Sequence, residues 1–219
     1  MGSDKTSTMK SGDPAAQALL ADRSAVYIVL ARGFSQPDET VLDFLRQCDQ
    51  AGPRGDSDVG TSLAALLASI RDGDLDKLQQ AYMRLFDPVN GPFPYESEHK
   101  TGHDFAKANI LADIMGFYRA FGVEPSGDRA DHMAAELEFM HLLTLKEHYA
   151  AGKGDQEHAT LCREAGQKFF RDHLSLWTEG LLAAMRASLS KDDRDHHLFY
   201  EHLMSLLECF ISSEKETLP

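Results

Sequence analysis

One segment limits what this chain can become. Residues 121–149, FGVEPSGDRADHMAAELEFMHLLTLKEHY, pass from a Gly-Val-Glu-Pro break through a glycine-containing polar turn into a helix that opens on Asp131-His132. On a helical wheel Met133, Leu137, Met140 and Thr144 share one side, while Phe139, Leu142, Leu143 and Leu145 spread over most of the rest. A helix that is apolar almost all round is one that other helices wrap. The segment therefore predicts a central helix with two ionisable side chains at its N-terminal end.

The flanking sequence supplies the wrapping. Residues 14–32 form a first helix, with Asp13 as N-cap, Pro14 in the first turn and Gly33 as a C-cap signal. Shorter helices are expected over 37–48, 61–71 and 74–86, the last with Leu75, Leu78, Tyr82, Leu85 and Phe86 at helical spacing. An amphipathic helix covers 103–121 and Gly122 ends it. A long helical pattern covers 155–187, with a kink expected near His173, and a last helix covers 192–210. Residues 49–60 read as a mobile loop. Residues 87–102, DPVNGPFPYESEHKTG, hold three prolines and two glycines, which forbid a regular element, yet Phe93 and Tyr95 imply a loop packed down by aromatic anchors. The expected fold is all-α, about eight helices in one globule over 14–212, with a disordered tail at 1–13 and a frayed tail at 213–219.

Composition excludes several classes of function. With 35 acidic and 22 basic side chains the net charge is −13, which disfavours nucleic acid and anionic membrane surfaces and suits a basic ligand or peptide, besides serving solubility. Cys48, Cys162 and Cys209 are an odd number, far apart, and fit a reducing compartment. The polar first residues carry no apolar core of a secretory signal, and no apolar run approaches the ~20 residues that span a bilayer. A cytoplasmic protein without stable membrane insertion is expected.

Candidate sites have structural alternatives. Asp131 reads as a capping-box residue at the third helical position, with Asp128 as N-cap, or as part of a site. His132 lies about 100° round the helix from Asp131 and shares a face with Glu136, so a side-chain pair explains it as well as a function does. Glu138 and His141 form a Glu-x-x-His, the spacing that holds iron or manganese in helical bundles, where a di-metal site needs two further glutamates on other helices as well. No motif supports a nucleophile elbow or a nucleotide site. Around the proline-rich loop, Tyr82, Phe86, Phe93 and Tyr95 stand near Glu96, Glu98 and Asp104 in sequence. This is either a packed loop with a solvated rim or a seat for a basic, partly apolar peptide.

Taken together, Tyr82-Met-Arg-Leu85-Phe86, Pro94-Tyr95-Glu96-Ser97, Phe117-Tyr118-x-x-Phe121-Gly122-Val123, Glu124-Pro125 leading to Asp131-His132, Glu136-Leu-Glu-Phe-Met140 and His173-Leu-x-x-Trp177 resemble the TorD/DmsD family of cytoplasmic molybdoenzyme chaperones, the redox enzyme maturation proteins. The resemblance covers about residues 75–180; the first 70 match only as helical sequence. It implies an all-helical binding protein that is not an enzyme and needs no cofactor. Its partner would be the catalytic subunit of a molybdopterin-containing oxidoreductase, held by its twin-arginine leader until cofactor insertion. Carried over residue by residue, the peptide-binding set is Tyr82, Leu85, Phe86, Tyr95, Glu96, Glu124, Asp131 and His132. A monomer or a domain-swapped homodimer hinged in the 120s is implied. The alternative from the residues alone is a helical-bundle metalloprotein using Glu138 and His141; a helical scaffold without leader binding is a third.

Overall fold

The elements of the computed structural model run α1 (Pro14–Phe34), α2 (Glu39–Gln50), α3 (Asp58–Ser69), α4 (Leu75–Leu85), α5 (Glu96–His99), α6 (Asp104–Ala120), α7 (Met133–Gly152), α8 (Gln156–Phe169), a π turn (Phe170–Leu174), α9 (Ser175–Leu189) and α10 (Leu198–Thr217). The structure describes residues 14–51, 57–71, 73–89, 91–100, 104–124, 129–189 and 198–218. Among these no strand forms, and the chain is all-α as the periodicity predicts. The expected tail at 1–13 lies outside the described residues; of the loop expected at 49–60, residues 52–56 lie outside them, while 49–50 belong to α2 and 58–60 to α3, so the connection is shorter than expected.

Short polar side chains set several helix starts. Asp38, Ser57, Asp74 and Asp155 each accept first-turn backbone N–H groups that have no partner within the helix. Gly122, with φ of +70°, takes the left-handed conformation that ends α6. Gly33 behaves differently from the expectation. It lies inside α1, buried, and a Cβ there would stand 2.4 Å from Leu203 Cδ1. It is a point of close approach between α1 and α10, not a cap.

The central position of α7 is as predicted. It packs along α1 on one side and α8 on the other. Met133, Leu137, Phe139, Met140, Leu143 and Thr144 are buried, but Leu145 is exposed. Phe117, Tyr118 and Phe121 of the α6 end pack on Phe139, and Phe169 closes the same group. Near His173, where a kink is expected, the helical run passes through the π turn. Its wider winding turns His173 and Leu174 inward together.

Further expectations are corrected. The segment 87–102 does contain a regular element: after its last proline, Pro94, one helical turn forms as α5. The C-terminal residues do not fray from 213. Helix α10 continues to Thr217, with Glu214 and Leu218 buried. Glu214 receives a two-pronged bond from Arg23 of α1, at 2.8 and 2.7 Å, and a hydrogen bond from Tyr27.

Candidate functional site

Pro92 and Pro94 are buried, and a residue preceding proline is driven toward extended backbone. The chain therefore enters α5 extended and pairs with the residues just before α7. Tyr95 and His132 form an isolated antiparallel bridge. Met133 N donates to Pro94 O and Glu96 N to Asp131 O, both at 2.9 Å. Two segments about 35 residues apart are thus joined through backbone into one corner.

His132, not Asp128, caps α7. Its Nδ1 accepts from Ala134 N at 3.1 Å, so that nitrogen carries no proton. Its ring meets Tyr95 edge-on at 5.1 Å. The helix starts after Asp131-His132, so Asp131 is not at the third helical position; Asp128 lies outside the described residues. The Asp131 carboxylate, with no exposed surface, accepts from Ser97 N at 3.2 Å and takes a fork from Arg129, Nε at 3.0 Å and Nη2 at 2.8 Å. Arg129 Nη2 also donates to Ser97 Oγ at 2.6 Å, and its guanidinium lies 4.4 Å over the Tyr95 ring. Glu98 stands at the rim, 3.4 Å from Arg129 and 2.7 Å from Lys107. Hydrogen bonding to Asp131 is the main cause that raises the Arg129 pKa.

Glu96 turns the other way, into the protein. Its buried carboxylate meets Lys100, and His173 Nδ1 lies 3.0 Å away. His173 Nε2 faces Asp113 at 3.2 Å. Carboxylates thus stand at both of its ring nitrogens. Behind Glu96 lies Glu136, fully buried, with Trp177 Nε1 donating to its Oε2 at 3.1 Å. Burial and then the Glu96 charge push the Glu136 carboxyl well above the usual range. Burial opposes ionisation of Glu96 too, but the bonds from His173 and Lys100 outweigh it and its pKa is lowered. Among the described residues Glu136 Oε1 has no hydrogen-bond partner, and burial beside the Glu96 charge favours the protonated carboxyl.

Of the eight residues expected to bind peptide, the structure brings Tyr95, Glu96, Asp131 and His132 together. Tyr82, Leu85 and Phe86 fall in a different group: Phe86 packs on Tyr82, Phe34 and Tyr200, and Leu85 is core. Glu124 is exposed at the end of the turn after α6. The metal alternative finds no support. Glu138 pairs with Arg32 at 3.0 Å, His141 Nδ1 lies 2.9 Å from both Ser24 O and Ser24 Oγ, and no three potential ligands gather among the described residues.

The sequence profile of the family described as nitrate reductase delta subunit matches residues 53–183, more than half of the chain. The chain belongs to this family of TorD-like maturation chaperones. It is similar to the selenate reductase assembly chaperone protein of Thauera selenatis, 29% identical over 150 residues, 66% of this chain and 74% of that one. It is also similar to the perchlorate reductase assembly chaperone protein of Dechloromonas aromatica, 28% identical over 132 residues (59% and 54%). A third relative is the chlorate reductase assembly chaperone protein of Ideonella dechloratans, 30% identical over 108 residues (47% and 54%). The chain spans about half the length of the latter two.

In this TorD-like chain the ordered motifs serve two purposes. Phe117, Tyr118, Phe121, His173 and Trp177 build the floor under the corner, and Tyr118 Oη donates to Ala130 O at 2.9 Å to hold the backbone beside Asp131. Tyr95, Ser97, Glu98 and Asp131 form its upper edge. Sequence reasoning missed Arg129, Lys100 and Asp113. The one cue for Arg129 was local, a cation two residues before a carboxylate. Among the described residues no helix is long and apolar enough to cross a membrane.

Proposed function

We propose that this protein is a cytoplasmic chaperone for the apo catalytic subunit of a molybdopterin oxidoreductase. It acts by binding, holding the client by its twin-arginine leader until the cofactor is inserted. The observation that supports this reading best is the corner itself: two motif segments spliced by backbone so that an aromatic ring and two carboxylates, Asp131 and Glu98, surround one place. A leader carrying two arginines and then an apolar stretch matches that chemistry, since guanidinium pairs with carboxylate through two parallel bonds and stacks on aromatic faces. The net charge of −13 favours encounter with a basic leader. Membership in the maturation-chaperone family and the relatives named as assembly chaperones supply the client class.

The remaining expected residues enter as surroundings. Half-buried Tyr82 and Phe86 offer an apolar surface for the stretch after the arginines, and exposed Glu124 adds charge. The test is calorimetric titration of a synthetic twin-arginine leader into the folded full chain, beside Phe93→Ala and Tyr95→Ala variants. Binding weakened by both variants is expected. No binding by the folded wild type overturns the leader reading and leaves family membership standing. Unchanged binding by folded variants moves the site away from the corner. Light scattering during chromatography distinguishes the proposed monomer from a domain-swapped homodimer.

A further inference from the structure

We infer that Arg129 is a resident stand-in for the client, occupying a guanidinium seat that a leader arginine takes by displacing it. The inference rests on the leader reading above and gives that site its ligand class and its regulation.

The seat has the parts that guanidinium recognition needs. Asp131 meets Nε and Nη2 with its two oxygens, at 3.0 and 2.8 Å. Ser97 Oγ accepts from Nη2 at 2.6 Å, Glu98 lies 3.4 Å from Nη1, and Tyr95 covers one face at 4.4 Å. The planar fork and the stacked ring select guanidinium over ammonium: a lysine would place one point charge there, without the second parallel bond or the flat face.

Two further observations make the occupant exchangeable. Asp131 has no exposed surface while the Arg129 side chain is 43% exposed, so Asp131 is reached from solvent through the place Arg129 occupies. The backbone around it is held by other means. His132 N donates to Arg129 O at 3.0 Å, Tyr118 Oη to Ala130 O, and Glu96 N to Asp131 O. The guanidinium can therefore swing out while the backbone and the Ser97 N bond to Asp131 remain.

A tethered occupant competes at high effective concentration, so a lone arginine displaces it poorly. A leader with additional apolar contacts displaces it well. Apparent affinity is reduced by the fraction of time the seat is closed. The resident arginine thus sets a threshold that admits a full leader and refuses isolated cations.

The experiment uses the full chain as wild type, Arg129→Ala and Arg129→Lys. In thermal melts, Arg129→Ala should be less stable than wild type and should recover with L-argininamide but not L-lysinamide, while wild type responds to neither. Absence of selective rescue overturns the seat. In titrations, Arg129→Ala should bind a twin-arginine leader about tenfold more tightly than wild type, with no gain for the same leader carrying two lysines. Equal or weaker binding of the twin-arginine leader by the folded variant overturns the exchange and leaves leader binding standing. No leader binding by either folded protein sinks the leader reading itself. Should Arg129→Ala fail to fold, Arg129→Lys keeps the charge and loses fork and stacking, and the same comparisons apply to it.

Discussion

The most exposing test of the fold lies at its C-terminal end. Glu214 sits in α10 with 2% of its side chain exposed, and its partner Arg23 in α1 has 11%. Arg23 meets it through Nε at 2.8 Å and Nη2 at 2.7 Å, and the buried Tyr27 hydroxyl donates to it as well. Glu214→Ala strands a buried guanidinium, at a cost of about 3–5 kcal/mol. It also leaves the Tyr27 hydroxyl without its acceptor, a loss on the order of 1–3 kcal/mol. The two losses share one site and do not add, so about 4 kcal/mol is expected. That is a large part of the ~5–15 kcal/mol that holds a domain together. At roughly 2–4 °C per kcal/mol for a chain of this size, the midpoint should fall by about 8–16 °C.

The assay is urea unfolding followed by far-UV circular dichroism. Glu179→Ala serves as control, since Glu179 pairs with Lys215 at 2.8 Å near the end of the same helix but is 80% exposed. The control should be indistinguishable from wild type, because exposed pairs contribute little. Arg23→Met with Glu214→Leu should recover much of the loss by removing both charges at once. A Glu214→Ala variant as stable as the Glu179→Ala control would falsify the claim that α10 is anchored to its end.

The corner yields further expectations. Glu136 has a raised folded pKa, so its stabilising contribution is whole below the unfolded value of ~4.3 and is lost as pH rises toward the folded value. Glu96 has a lowered one, so its contribution is present above ~4.3 and lost as pH falls through the folded value. Glu136→Gln stays neutral throughout, so its denaturation midpoint should decline less than wild type's from pH ~4.3 upward; an identical decline removes the protonated Glu136. Asp131→Ala should destabilise by about 1–3 kcal/mol through the buried Ser97 N–H left without its acceptor, and no loss in urea unfolding argues that the corner is not a knot. Gly33→Ala should lower the thermal midpoint, because Leu203 must move from a buried position to admit the methyl group; an unchanged midpoint means α1 and α10 are less closely packed there. Leader affinity should fall as salt rises from 50 to 500 mM (about 14 to 4 Å of screening length), and a salt-independent affinity would place the binding energy in apolar contacts alone.

What the sequence revealed of the fold, and what it hid, follows from the range of the forces involved. The helices were legible because their signals are local: apolar spacing in α4 and α6, and Gly122 after α6. The starts of α2 and α3 were less so, since Asp38 and Ser57 cap helices expected to begin at 37 and 61. The end of α10 was not legible. SSEKET reads as polar and frayed until Glu214 meets Arg23, 191 residues earlier in the chain. Helix α5 was hidden for the same reason. Its four residues lack the length to be stable alone and are held by bonds to Asp131 O and Asp131 Oδ2.

The candidate site follows that rule with one difference. Its residue types were legible, since Tyr95, Glu96, Asp131 and His132 lie in quoted motifs, but their roles were assigned on the premise that α7 starts before Asp131. The helix starts after His132, so the wheel that set the two side chains apart does not apply to them. His132 turns to its own helix end, Asp131 turns to Ser97 and Arg129, and Glu96 turns inward to His173 and Glu136. Four residues that read as one acidic–aromatic surface are therefore divided between an outer seat and an inner network. The inner network holds α5, the π turn and α7 together, which fixes the ring and the backbone of the outer seat. In the outer seat the Arg129 side chain is 43% exposed, so it can turn to solvent from its place over Asp131. This is why the test of recognition belongs at Arg129, whereas changes at Asp131 or Glu96 report first on folding.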